Sequence, residues 1–456
     1  MSMNKVYSYI NGHAEEFVEK LIRLVKQPSV SATGEGIQKC SEMVEALLQE
    51  TGFSTRILKE EGNPVVYAEI KSTRSSKTLL FYDHYDVQPP EPLEEWEFDA
   101  FSGKIHEGRI YGRGVSDNKG NIVARVAAVQ ALLNAHGETP VNVKFVVEGE
   151  EEVGSPHLEQ VVRQHKDLFK NHATIWEFGA TNHQGRPEIY LGLKGVLSIE
   201  LTARGASRDV HSANAPLVVN PAWRLVWALN RLKNEDDEML IKGFYDNVEK
   251  PSEAEVRLLK DIPLEEAEMK KTLSLKSFLH GRRGIEAKKA LLYNPTCTIN
   301  GFLTGYTGQG SKTVLPKQAV AKLDFRLVPR QMPDEIFSKL VKHLQKTGFG
   351  DVEAVKQGST EPTKTPLTEE FVGTVIGAAE KVYRKKAVVY PTSAASGPMH
   401  LFRNLLGVPV VSAGCSHADA RGHAPNENLT MEGFTKGIKF MATILNDFGR
   451  TRVTKD

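Results

Sequence analysis

The chain has 456 residues, with 58 Lys and Arg against 57 Asp and Glu, so its formal net charge is +1. That balance lacks the basic excess by which phosphate-binding proteins hold nucleic acid, and no nucleic-acid partner is expected. A composition 40% hydrophobic and 25% charged is that of an ordinary globular protein, and the length implies two or three domains.

No apolar run approaches the roughly 18 residues of a membrane span. The first 17 residues, with Glu15 and Glu16, lack the basic-then-apolar layout of a signal peptide, so a cytoplasmic location without membrane association is expected. Cys40, Cys297 and Cys415 are an odd number at wide spacings with no Cys-x-x-Cys, which gives neither a disulfide framework nor a thiolate zinc site. Any metal must be held by His, Asp and Glu.

Phe17, Leu21, Leu24 and Val25 recur at helical spacing up to Pro28, and a second helix is predicted over 37–51, both on the surface. Residues 65–70, 78–82 and 141–147 are short apolar runs rich in β-branched and aromatic side chains, whereas 121–135 has the spacing of an amphipathic helix. Strands alternating with helices predict an α/β domain around a buried sheet. The polar stretch 71–77 reads as a solvated hairpin turn. After Gly192 the character changes. A half-buried strand over 196–203, a helix over 221–232 and a highly charged stretch over 235–289 read as an insertion. A strand over 319–328, a helix from Pro333 to about 347 and a strand near Val352 complete a small α+β sandwich, and core-facing helices follow over 371–383 and 431–448.

Five segments concentrate histidines and carboxylates at strand ends or loops, where α/β sheets build sites. In Phe81-Tyr82-Asp83-His84-Tyr85-Asp86 a strand delivers His84, and Asp86 is placed to accept from its second ring nitrogen. Tyr111 to Gly120 is a glycine-rich turn ahead of a helix that fits neither phosphate-binding pattern, which leaves Asp117 as a bridging carboxylate or a helix cap. Glu148, Glu150, Glu151 and Glu152 crowd the end of an apolar strand and repel unless cations or protons intervene; a solvated acidic loop is the alternative. Glu177 stands alone between Trp176 and Phe178. Residues 416–427 offer His417 and His423, and Cys415 with His417 raises the competing idea of a thiol nucleophile.

Together, His84-Tyr85-Asp86, Gly114 to Asn118, Glu151-Glu152-x-Gly-Ser, Glu177 and Gly422-His423-Ala424-Pro425-Asn426-Glu427, in this order, resemble the M20 family of co-catalytic zinc peptidases, in its carnosinase-like and Cys-Gly dipeptidase-like branch. The resemblance runs from about residue 10 to 450. It implies an α/β, mixed-sheet metallopeptidase domain over 1–192 and 358–456 and an inserted α+β sandwich lid and dimerisation domain over 193–357. It implies two divalent metal ions, zinc foremost with manganese or cobalt as alternatives. Asp117 would bridge them, His84 and Glu177 would complete one site, and Glu152 and His423 the other. Asp86 would support His84, and Glu151 would be the general base on a metal-bridging water, leaving Glu150 an extra carboxylate. From the lid, His211 would stabilise the oxyanion, reaching in from the partner subunit of a homodimer, and Arg326 would bind the substrate's free carboxylate. Ser396 and Gly397 match a loop holding the same carboxylate, although Ser396-Gly397 departs from the family's Gly-Gly-Ser. The implied activity is hydrolysis of dipeptides or short peptides next to a free C-terminal carboxylate, with an N-acyl amino acid deacylase of the same fold as the alternative.

Overall fold

The computed structural model describes residues 2–451. They divide into two compact units, one made of the residues up to 192, 364–391 and those from 397 onward, the other of 193–363 with 392–396. Among the described residues, no helix is long and apolar enough to cross a membrane.

The first unit is built on a mixed six-stranded sheet in the order Ser54–Leu58, Val65–Ile70, Asn142–Glu148, Thr78–His84, Ala173–Trp176, Val410–Ser412. The first three strands pair antiparallel, and the remaining pairings are parallel. Every residue of Thr78–His84 is buried, which its unbroken apolar run requires of a central strand covered on both faces. Since Asn142–Glu148 lies between Val65–Ile70 and Thr78–His84, the 71–77 segment is a crossing connection and not the expected hairpin turn.

Three helices, not two, precede this sheet: Met3–Gly12, Ala14–Val25 and Ile37–Glu50. They are not confined to the surface, because Val6, Ile10, Phe17 and Leu21 are wholly buried. The helix Lys119–His136 packs against Met3–Gly12, Ala14–Val25 and Met431–Phe448, and also against the Thr78–His84 strand. Covered in this way it is buried nearly all round, in place of the single apolar face that its spacing suggested.

The second unit has a four-stranded antiparallel sheet, in the order Thr296–Thr304, Gln318–Leu327, Gly195–Arg204, Glu353–Thr360. Alternate residues Leu197, Ile199 and Leu201 and their neighbours Leu323, Phe325 and Leu327 form one core with Leu225 and Ala228 of the helix Pro221–Leu229 and Ile336 and Leu340 of Pro333–Lys346. The edge strand Glu353–Thr360 runs past the expected boundary at 357, and so the chain leaves this unit only after 363. Residues 392–396 also belong to it, with the Lys194 N–H donating to the Ala395 carbonyl at 2.9 Å.

Candidate metal centre

The four parallel strands of the first unit end on one edge of the sheet, and the residues singled out in the sequence follow those ends. His84 is the last residue of its strand and lies opposite Glu148 in the neighbouring one, so the short turn Glu151–Val153 falls beside it. Glu177 immediately follows Ala173–Trp176, and the chain beyond Val410–Ser412 leads to His423. Tight turns bring these ends close. A Cβ on Gly114 (φ +83°) would lie 2.4 Å from Val87 Cγ1, and one on Gly149 would lie 2.3 Å from the Tyr85 hydroxyl, so both positions require glycine.

Asp117 lies at the middle of the cluster. Its Oδ1 is 3.1 Å from His84 Nε2 and its Oδ2 is 3.1 Å from His423 Nε2. His423 Nε2 is also 3.0 Å from Glu152 Oε2, and ligand atoms of His84, Asp117 and Glu152 all fall within 4.8 Å of one another. Glu177 is tied to the residue after Asp117, with Asn118 Nδ2 donating to its carbonyl at 3.0 Å and to its Oε2 at 3.3 Å. Of the two histidines in the C-terminal loop, it is thus His423 that meets Asp117; His417 Nδ1 instead accepts from the Asp419 N–H at 3.2 Å.

Asp86 is wholly buried and has a wider task than expected. Its carbonyl is hydrogen-bonded to His84 Nδ1 at 3.1 Å, with carboxylate Oδ1 3.4 Å from the same nitrogen. The carboxylate itself accepts the N–H groups of Glu151 (3.2 Å) and Glu152 (3.0 Å). One residue therefore orients the histidine chiefly through its carbonyl and fixes the turn that carries two of the glutamates through its carboxylate. Gln88 Nε2 adds a donor to Glu152 Oε2 at 3.0 Å. Glu150 faces elsewhere, against His157 Nδ1 at 2.9 Å and the Asn63 N–H at 3.1 Å.

Buried like charges dominate the electrostatics. Burial, with the charges of Asp117, Glu152 and Asp86 outweighing the pull of His84, pushes Glu151 up to about 7. Burial and the Glu151 charge hold Glu177 well above the usual carboxylate range. Hydrogen bonds to Asp117 and Glu152 push His423 up to about 10. For His84, burial works downward and is outweighed by its bonds to Asp117 and Asp86, so its pKa lies well above the ordinary value. Such a concentration of carboxylates and imidazoles, each displaced from its ordinary state by the others, suits divalent cations that would neutralise the carboxylates and take the imidazole lone pairs. Cys415 does not fit a nucleophile: burial pushes its thiol up to about 12 and Sγ is 3.3 Å from Asn121 Oδ1.

In the second unit, Arg326 Nη1 donates to Ser396 Oγ at 2.9 Å, so these two expected residues stand together, and Arg326 Nη2 is 3.5 Å from Asp324. Gly397 is the first residue after the 392–396 segment. His211 is exposed, and its Nδ1 accepts from the Ala213 N–H at 3.1 Å, which leaves the proton of the neutral ring on Nε2.

Sequence reasoning gave no role to Arg113, Arg125, Ser116 or Glu427. Ser116 and Ser416 join their hydroxyls at 2.6 Å, and Glu427 takes Arg113 Nη1 at 2.9 Å. The one available signal was the position of Glu427 at the close of the C-terminal motif.

The model of the family described as "Peptidase family M20/M25/M40" matches residues 80–447. The Cys-Gly metallodipeptidase dug1 of Schizosaccharomyces pombe is 27% identical, over 98% of this chain and 98% of that one. A Beta-Ala-His dipeptidase of Homo sapiens is 26% identical, over 96% of this chain and 91% of that one. Among solved structures, an M20 family metallo-carboxypeptidase, Sso-CP2 from Sulfolobus solfataricus, superimposes with a TM-score of 0.88 at 42% identity, covering 96% of this chain and 100% of that one.

Proposed function

The chain belongs to peptidase family M20/M25/M40, and on that premise we propose that it hydrolyses dipeptides or short peptides at the amide bond next to a free C-terminal carboxylate. The observation that carries the reading is Asp117, whose two oxygens each meet a different histidine at 3.1 Å, the arrangement of a carboxylate that serves two cations. In this reading His84 and Glu177 would hold one cation, Glu152 and His423 the other, and Asp117 would serve both. The imidazole and carboxylate donors suit zinc, with manganese or cobalt able to replace it. Cations held there would supply Lewis acidity and a water acidic near neutral pH.

The rest is done by the chain's own groups. The Glu151 carboxylate, next to the candidate ligand Glu152, can take a proton from water at its Oε atoms and pass it to the leaving amine nitrogen. Asp86 keeps Glu151 in place through its backbone N–H. His211 Nε2, 3.4 Å from the Thr313 hydroxyl, is suited to a developing oxyanion, and Arg326 presents a forked cation suited to a carboxylate, with Ser396 orienting it and Gly397 in the same loop.

A homodimer formed through the second unit is part of the proposal. Its support is the apolar surface left there by Leu217, 88% exposed, and by Trp223 and Trp227, whose rings stack at 5.9 Å. Light scattering of the purified protein tests it. A cytoplasmic location is supported by three thiols that are all unpaired and buried.

The deciding experiment is release of free amino acid from a dipeptide panel, with N-acetyl amino acids alongside, after EDTA and after zinc or manganese is returned. Metal-restored cleavage of dipeptides is expected. Cleavage of the acetylated compounds alone would move the protein to the N-acyl amino acid deacylases.

A further inference from the structure

We propose that Glu427 is a positioning residue for the metal centre: it holds the loop of Asp117 and the loop of His423 to one another, so that two histidines can meet a single carboxylate. It contacts no reacting atom and acts through Asp117. The inference rests on the metal-centre reading.

Glu427 is wholly buried and its two oxygens receive four donors. Oε2 accepts from Arg113 Nη1 at 2.9 Å and from the Gly114 N–H at 3.0 Å. Oε1 accepts from the Ser116 N–H at 2.9 Å and from the Asp117 N–H at 3.0 Å. The loop that ends at Asp117 is thus wrapped around a carboxylate that lies four residues after His423. The backbone repeats the connection, since the Glu427 carbonyl accepts the Gly112 N–H at 3.0 Å. Arg113 extends it, because its Nη2 lies 3.3 Å from the carbonyl of Pro89, in the segment that follows His84 and Asp86.

The charge state of the acceptor matters as much as its shape. Four converging N–H donors match an ionised carboxylate, which accepts at both oxygens. An amide in its place keeps one accepting oxygen and turns its NH2 toward two of the donors. The loop then has to move away, and the Asp117 carboxylate moves with it. Partners behind metal ligands commonly change metal affinity by about 10–100-fold when replaced, and a loss of that size is expected for Glu427→Gln.

The test is zinc titration of the metal-stripped full chain against a chelating dye, with circular dichroism and melting temperature on the same samples. Wild type is compared with Glu427→Gln, Arg113→Lys and Ile444→Ala. Ile444 is a wholly buried core residue of the Met431–Phe448 helix outside this network, and it controls for stability loss alone. The expected result is two zinc ions on wild type, affinity about 10–100-fold weaker in Glu427→Gln, a smaller loss in Arg113→Lys, and wild-type affinity in Ile444→Ala despite its lowered melting temperature. Wild-type affinity in Glu427→Gln overturns the inference. So does an equal loss in Ile444→Ala, since Glu427 would then be merely structural. Should Glu427→Gln not fold, unchanged affinity in Arg113→Lys overturns it. A wild-type chain that takes up no zinc, manganese or cobalt refutes the metal-centre reading itself, and this inference with it.

Discussion

Replacing Arg125 by methionine removes a clamp that ties together the strand ends on which the site is built. The guanidinium is wholly buried, pairs with Asp83 Oδ1 at 2.7 Å, and donates to the carbonyls of Tyr82 (2.6 Å), Trp176 (2.7 Å) and Ala413 (3.0 Å). Those carbonyls lie at the ends of three neighbouring strands, just ahead of His84, Glu177 and the His423 loop. Breaking a buried ion pair costs about 3–5 kcal/mol, and each orphaned buried carbonyl about 1–3 kcal/mol more, with incomplete additivity. A loss of at least ~4 kcal/mol follows, and at about 2 °C per kcal/mol for a large unit the melting temperature of Arg125→Met should fall by about 8 °C or more.

The deficit should also depend on pH. Burial pushes Asp83 up to about 6 even beside Arg125, and losing the cation raises it further above the unfolded value of 3.8. Between those limits the folded variant holds a proton that the unfolded chain has released. Stability is therefore lost as pH rises through that interval, and the deficit relative to wild type should be larger at pH 8 than at pH 5. Adding Asp83→Leu should recover the ion-pair share and leave the carbonyl share. Differential scanning fluorimetry at the two pH values reads all of this. A deficit below about 3 °C, or full recovery in the double variant, would refute the claim that the strand-end carbonyls depend on Arg125.

Glu151→Gln should lower kcat by about 10²–10⁴-fold with metal content unchanged by elemental analysis, whereas Glu150→Gln, engaged with His157 and Asn63, should retain activity; the reverse ranking would move the base to Glu150. Arg326→Met should raise KM for substrates with a free carboxylate by about tenfold or more and leave C-terminally amidated analogues, already poor, unchanged. Equal effects on both substrate types would remove Arg326 from carboxylate binding. Burial pushes Glu148 up to about 8 from an ordinary 4.5, so the folded chain keeps a proton there that the unfolded chain loses, and this group's contribution to stability falls as pH rises from about 4.5 through 8. Glu148→Gln should therefore gain in melting temperature over wild type as pH is raised from 5 to 8, and a difference independent of pH would contradict the assignment.

The candidate ligand residues stand out in the sequence because each sits in a short run whose neighbours report on it: an apolar strand ahead of His84 and of Glu148, glycines around Asp117, a Gly-His-Ala-Pro run at His423. What escaped was information carried between distant segments. The hairpin expected over 71–77 failed because nothing local announces that Asn142–Glu148 will insert between the two strands. The helix Lys119–His136 was read as amphipathic because its spacing cannot tell one covered face from two. The edge strand Thr296–Thr304 was missed because Ile299, Phe302 and Leu303 point outward and leave no buried alternation to find.

Charged residues inside the first unit were the hardest to foresee, and they explain how the centre is held. Arg113, Lys119 and Arg125 bracket Asp117 within thirteen residues of sequence, and all three are buried. Arg113 reaches Glu427 and the carbonyl of Pro89. Lys119 Nζ caps the end of the helix Ala14–Val25 and the turn after it, through the carbonyls of Leu24 (3.1 Å) and Gln27 (2.6 Å). Arg125 takes the strand ends. Burying a cation costs several kcal/mol unless its charge is compensated, and here most of the acceptors are backbone carbonyls near the ends of helices and strands. Three such cations on one segment immobilise it from three directions. The residue between them is the one that must offer an oxygen to each of two histidines at once, and a displacement of about 1 Å there would break that sharing.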